Sequence, residues 1–176
     1  MLHRHVLGAA LFILTGCAGI GDFDVDRTIA EQRVPGSPLA GVLSNLFAVP
    51  IPMDVNIRSE TAARNSGPAK AAHLKELVLR ITATSKSAGD EDDFGFLDSV
   101  DVFIESTKEG TTLPRTPIAR APDIQATQQI VFEVVGSVDV LPYADEGSRF
   151  TADAHGRVPP DDVSFDGRFT LRVELF

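Results

Sequence analysis

The chain has 176 residues, with 25 Asp and Glu against 16 Lys and Arg, a net charge of −9 and a single cysteine. That acidic balance argues against a nucleic-acid partner and against docking on anionic lipid headgroups, and it favours solubility. One cysteine excludes an intramolecular disulfide, and the length is enough for one domain with a real core.

Residues 1–16 have a short basic start, with Arg4 between His3 and His5. An uncharged apolar run follows from Val6 to Leu14, and the small residues Thr15-Gly16 precede Cys17. An apolar run behind a basic start is the pattern of a secretory signal, and this one is too short to span a bilayer as a helix. The four residues Leu14-Thr15-Gly16-Cys17 resemble the lipobox of bacterial lipoproteins. The resemblance covers only the start of the chain. It implies diacylation of the Cys17 thiol, cleavage before Cys17 and acylation of the new amino group. A single acyl chain binds a membrane marginally, at about 0.8 kcal/mol per buried CH₂, so two or three chains make a stable anchor. Ala18 follows Cys17, where lipoproteins retained in the Gram-negative inner membrane carry aspartate. The resemblance therefore implies an outer-membrane location in a Gram-negative host, facing the periplasm or the cell surface. An ordinary cleaved signal before a chance cysteine is the plainer alternative, but it leaves a free thiol in an oxidising compartment. Loss of Arg4 with the leader takes the charge from −9 to −10. The expected organisation is a leader over 1–16, a lipidated Cys17 with a tether over 17–21, and one domain over 22–176.

Beyond the tether, period-two alternation dominates, the mark of strands with one dry face. Phe23, Val25 and Ile29 predict a strand over 22–33, and Val34-Pro35-Gly36-Ser37-Pro38 a turn. Leu39 to Phe47 fits a short helix, with Leu39, Val42, Leu43 and Leu46 on one side. Residues 48–57 alternate at Val49, Ile51, Met53, Val55 and Ile57, while Pro50 and Pro52 confine the segment to a sheet edge. Ser59 to Arg64 allows one or two helical turns. Leu77, Leu79, Ile81 and Ala83 share a face of a strand over 74–84, as do Val100, Val102 and Ile104 over 99–106. Residues 128–135 are apolar on both faces in part, as a central strand is. Val138 to Tyr143 reads as a crossover between sheets, with Leu141 and Tyr143 packed inward. Phe150, Ala152 and Ala154 line a strand over 147–157. The stretch Val158-Pro159-Pro160-Asp161-Asp162 then turns the chain into a last strand, making 147–175 a long antiparallel hairpin. In that strand Val163, Phe165, Phe169, Leu171, Val173 and Leu175 alternate with polar residues, and only Gly167 breaks the apolar series.

Strands without long intervening helices predict an all-β fold: an antiparallel β-sandwich, immunoglobulin-like or jelly-roll-like, of seven or eight strands with one or two helical turns. A membrane barrel has the wrong phase. Phe176 ends the chain, but the residues in phase with it are Glu174, Arg172 and Thr170, and an arginine facing lipid at midplane costs about 2–4 kcal/mol.

The most distinctive polar feature is Asp90-Glu91-Asp92-Asp93, after Gly89 and before Phe94-Gly95-Phe96-Leu97. Clustered carboxylates on a loop suit Ca²⁺, which takes six to eight oxygen ligands, but the run lacks EF-hand spacing. The favoured reading is a solvated loop in which Asp92 or Asp93 caps a turn while Phe94, Phe96 and Leu97 plug one end of the sandwich. Asp161-Asp162, with Asp166 four residues on, and Asp145-Glu146-Gly147 read as turns. His73 and His155 read as surface histidines, since zinc needs three or four ligands. No Gly-x-Ser-x-Gly elbow, His-Glu-x-x-His or phosphate loop occurs, so no catalytic residue is expected. The absence of Trp, with Tyr143 the only Tyr, weakens a sugar-binding reading.

Elimination leaves a lipid-anchored, non-enzymatic binding or structural module in an envelope complex. Its contacts are the membrane, through Cys17, and an envelope protein engaged by sandwich loops or a strand edge. The short tether favours a partner in or on the membrane. A Ca²⁺-dependent adhesion or ligand-binding domain using loop 89–93 is the alternative, and a hydrolase with an unrecognised site is the third.

Overall fold

A computed structural model describes residues 21–37, 47–48, 51–53, 55–84 and 91–175. The leader, Cys17, Asp90 and Phe176 lie outside the described residues, as does the helix expected over 39–47 except for Phe47, which is in a strand and not a helix.

The described strands are β1 (Phe23–Val34), β2 (Phe47–Ala48), β3 (Ala71–Thr82), β4 (Leu97–Ser106), β5 (Thr116–Ala121), β6 (Gln129–Val131), β7 (Glu133–Val134), β8 (Ser148–Gly156) and β9 (Val163–Glu174). Two short helices, α1 (Ile57–Ala63) and α2 (Leu141–Glu146), join them. One sheet has the order β1-β9-β3-β6 and the other β2-β8-β4-β5-β7, with every pairing antiparallel. The fold is the expected all-β sandwich and not a closed barrel.

Alternation put one face of each long strand into a shared core. Leu77 and Leu79 of β3, Val100, Val102 and Ile104 of β4, and Phe165, Phe169, Leu171 and Val173 of β9 are all fully buried. Burial of each such side chain contributes roughly 1.5–3 kcal/mol. On the outer face of the first sheet, polar residues pair across strands. Asp24 of β1 accepts from Lys75 of β3 at 2.6 Å and from Arg172 of β9 at 3.2 Å, and Thr170 donates to Asp26 at 2.7 Å.

Four expectations need correction. The segment 147–175 is not a hairpin: β8 pairs with β4 and β2, whereas β9 pairs with β1 and β3 in the other sheet. Strands that face each other across a core alternate as hairpin partners do, so the pattern cannot tell the two apart. The 128–135 stretch is not central. It is the edge of both sheets, pairing with β3 through β6 and with β5 through β7, and it changes sheet at Phe132. Only one of its two apolar faces is covered: Ile130 and Phe132 are buried while Val131 is exposed. Residues 51–53 form no strand, although Ile51 and Met53 are buried and Pro52 exposed, so the alternation reports burial without pairing. Segment 138–143 joins β7 to β8, two strands of one sheet. It passes the first sheet on the way, where the Val140 amide donates to Ala72 O at 2.8 Å.

The helical turns expected over 59–64 are α1. Asn56 caps it by accepting from the Ser59 amide at 3.0 Å, satisfying a donor that the first turn leaves orphaned. The registers define two ends of the sandwich. Phe23, Ala71, Glu174, Ser106 and Ser148 lie towards one, and Val34, Thr82, Val163, Leu97 and Gly156 towards the other.

Candidate functional site

The acidic turn lies at the end away from the start of β1. Asp92 is buried, and its Oδ2 accepts from Thr84 Oγ1 at 2.9 Å. Asp93 Oδ1 accepts from the Gly95 amide at 2.7 Å, the local turn that aspartate forms with the backbone two residues on. Glu91 is exposed. The Phe94 amide donates to Thr127 O at 2.8 Å and the Leu97 amide to Phe94 O at 2.9 Å, which folds 94–97 into a turn entering β4. Phe94, Phe96 and Leu97 are buried and plug this end of the core as expected. The Phe94 ring centroid lies 6.5 Å from that of Phe96 and 6.1 Å from that of Phe165.

Opposite the turn runs the β8–β9 crossing. The Arg157 amide donates to Phe96 O at 2.7 Å, and the Ser37 amide donates to Pro159 O at 2.9 Å. Gly156 allows this approach: its φ is +152°, and a Cβ there would stand 2.8 Å from Leu97 Cα. Asp162 accepts from the Gly36 amide at 2.8 Å and pairs with Arg33. The amide bond first, and Arg33 second, hold the Asp162 carboxyl below its ordinary value of 3.8. A cleft of about 430 Å³ lies between turn and crossing. Phe96, Ala126 and Pro159 give it an apolar lining, with Glu91, Asp93 and Arg157 at its charged rim.

The structure thus brings Asp92, Asp93 and Glu91 of the acidic run together with Asp161 of the crossing around one cleft. Among the described residues, no group of three or more His, Cys, Asp or Glu is placed to hold a metal ion. Asp166 of β9, registered with Arg80 of β3, stands apart from Asp161 and Asp162. His155 is exposed on the polar face of β8, as expected. His73 is not a free surface residue: its Nδ1 lies 3.0 Å from Val138 O and its Nε2 3.7 Å from Glu174, because the 138–141 passage crosses the start of β3.

Three arrangements had no local signature in the sequence. Asp145 and Glu146 end α2 instead of forming a bare turn, and Gly147 leaves the helix at φ +89°. Glu146 accepts from Thr111 at 2.6 Å and Ser106 at 2.9 Å and pairs with Lys108 at 3.2 Å, which locks the β4–β5 loop onto α2. Those bonds, Thr111 first, hold its carboxyl below the ordinary 4.5. Asp139 Oδ1 accepts from the Ala72 and Leu141 amides at 2.9 and 3.0 Å, tying the passage to β3. Tyr143 is buried as expected, and its hydroxyl, which donates to Pro114 O at 2.9 Å, lies 2.7 Å from Thr116 Oγ1. Apart from Leu141, which is two residues from Asp139, the partners lie tens of residues apart in the chain, and turn chemistry does not reveal them.

No protein-family model matches this chain, and no curated protein matches it significantly.

Proposed function

We propose that this protein is a lipid-anchored module of the bacterial cell envelope, one that binds or braces a partner and catalyses nothing. The observation that carries the reading is the run Leu14-Thr15-Gly16-Cys17 placed just ahead of β1. Five residues, 18–22, separate Cys17 from Phe23. At roughly 3.3–3.6 Å each they keep the start of β1 within ~20 Å of the acylated residue. In a Gram-negative host, Ala18 directs the protein to the outer membrane.

The topology adds a direction to the anchor. β1 starts at one end of the sandwich, and the cleft between the acidic turn and the β8–β9 crossing is at the other. Twelve residues of β1 at about 3.4 Å rise span on the order of 40 Å. The loops around Glu91, Ala126 and Pro160 thus lie at the end of the sandwich away from the tether, where a partner could reach them without touching β1's start.

The test is a crosslinking pull-down from native envelopes of the producing cell, with the Cys17→Ala variant alongside and intact mass as the check on lipidation. The expected result is a mature chain starting at Cys17 with its acyl mass, and a dominant partner lost in the variant. An unacylated chain cleaved elsewhere overturns the anchor, and an acylated chain with no saturable partner overturns the binding role.

A further inference from the structure

We draw no further inference here: the strongest candidate, the cleft between the acidic turn 91–93 and the β8–β9 crossing, is lined by surface loops, and nothing in the structure shows what covers it.

Discussion

β9 and the 129–134 passage both announce themselves as apolar strands, yet they hold opposite places in the fold. β9 runs twelve residues between β1 and β3, paired on both sides along nearly its whole length. The 129–134 passage pairs with one neighbour at a time, β3 and then β5, and changes sheet after three residues. Even polar residues on β9 are covered: Ser164 and Thr170 are buried. On the edge passage, Gln129, Val131 and Glu133 are exposed. Apolar content alone thus does not mark a strand as central. Two-sided pairing does, and it depends on neighbours far away in sequence.

The contrast sets an order of expected effects. Phe169→Ala, at 1 % exposure and flanked by both neighbours of β9, should cost about 4–5 kcal/mol, because the cavity cannot collapse between paired strands. Phe132→Ala is almost as buried, at 5 %, but stands where the chain leaves one sheet for the other. Its surroundings can relax, and about 3 kcal/mol is expected. Urea unfolding of the two variants measures the difference. Equal losses would mean that the passage is held as rigidly as β9.

Gly167→Val comes next. A Cβ at Gly167 would lie 2.6 Å from Val78 O and 2.7 Å from Leu79 Cδ2. The break in the apolar series of β9 is therefore a steric requirement of its approach to β3. Overpacking of this kind costs about 1–3 kcal/mol. A Tm equal to that of the parent would show that β3 and β9 can part without penalty.

Much of the β9 side was legible in the sequence, and the reasons are physical. A strand with one buried face repeats every two residues, so β1, β3, β4, β8 and β9 appear where Val25 and Ile29, Leu77 and Leu79, Val100 to Ile104, Ala152 and Ala154, and Phe165 to Val173 alternate. The aromatic plug after the acidic run was equally readable, since three large apolar residues beside four carboxylates must part company at a surface. Pairing was not readable. Period two fixes which face is dry but not which strand lies alongside, so β8 and β9 passed for a hairpin and the edge passage for a centre. The cleft depends on the same missing information, because only the sheet crossing brings Arg157 and Pro159 opposite Glu91 and Asp93.

Acid should loosen the β1–β9 side, as it should the Glu146 contacts of the β4–β5 loop. Asp24 is held below its ordinary 3.8 by the Lys75 hydrogen bond first and Arg172 next, and Glu60 below its ordinary 4.5 by Arg64 first and then Arg27. A carboxylate with a depressed pKa in the folded state favours folding while it is ionised. In the unfolded chain it takes up its proton at a higher pH. These contributions are therefore intact at neutral pH and disappear as the pH falls below about 4.5 towards the lowered values. The Tm should stay level between about pH 6 and 8 as far as these groups govern it, and drop on acidification below about 4.5. Hydrogen exchange in acid should show β1 amides losing protection. A Tm that holds or rises between about pH 5 and 3 would mean that the Asp24 and Glu60 pairs contribute nothing in solution.

The smallest effect is expected at Val131. It is 60 % exposed, on the outward side of β6, and among the described residues no strand lies beyond β6 in the sheet order. Val131→Lys removes little buried area and sets a charge on an open edge, where natural sheets often carry lysine to discourage pairing with other chains. The expected change in stability is within about 0.5 kcal/mol, the range of ordinary surface substitutions. The informative readout is therefore association, followed by light scattering on warming. If the edge is bare, the lysine variant should aggregate more slowly than the parent at equal Tm. If the substitution instead costs more than ~1 kcal/mol, Val131 is covered in solution by some part of the chain, and the 129–134 passage is closer in character to β9 than its pairing indicates.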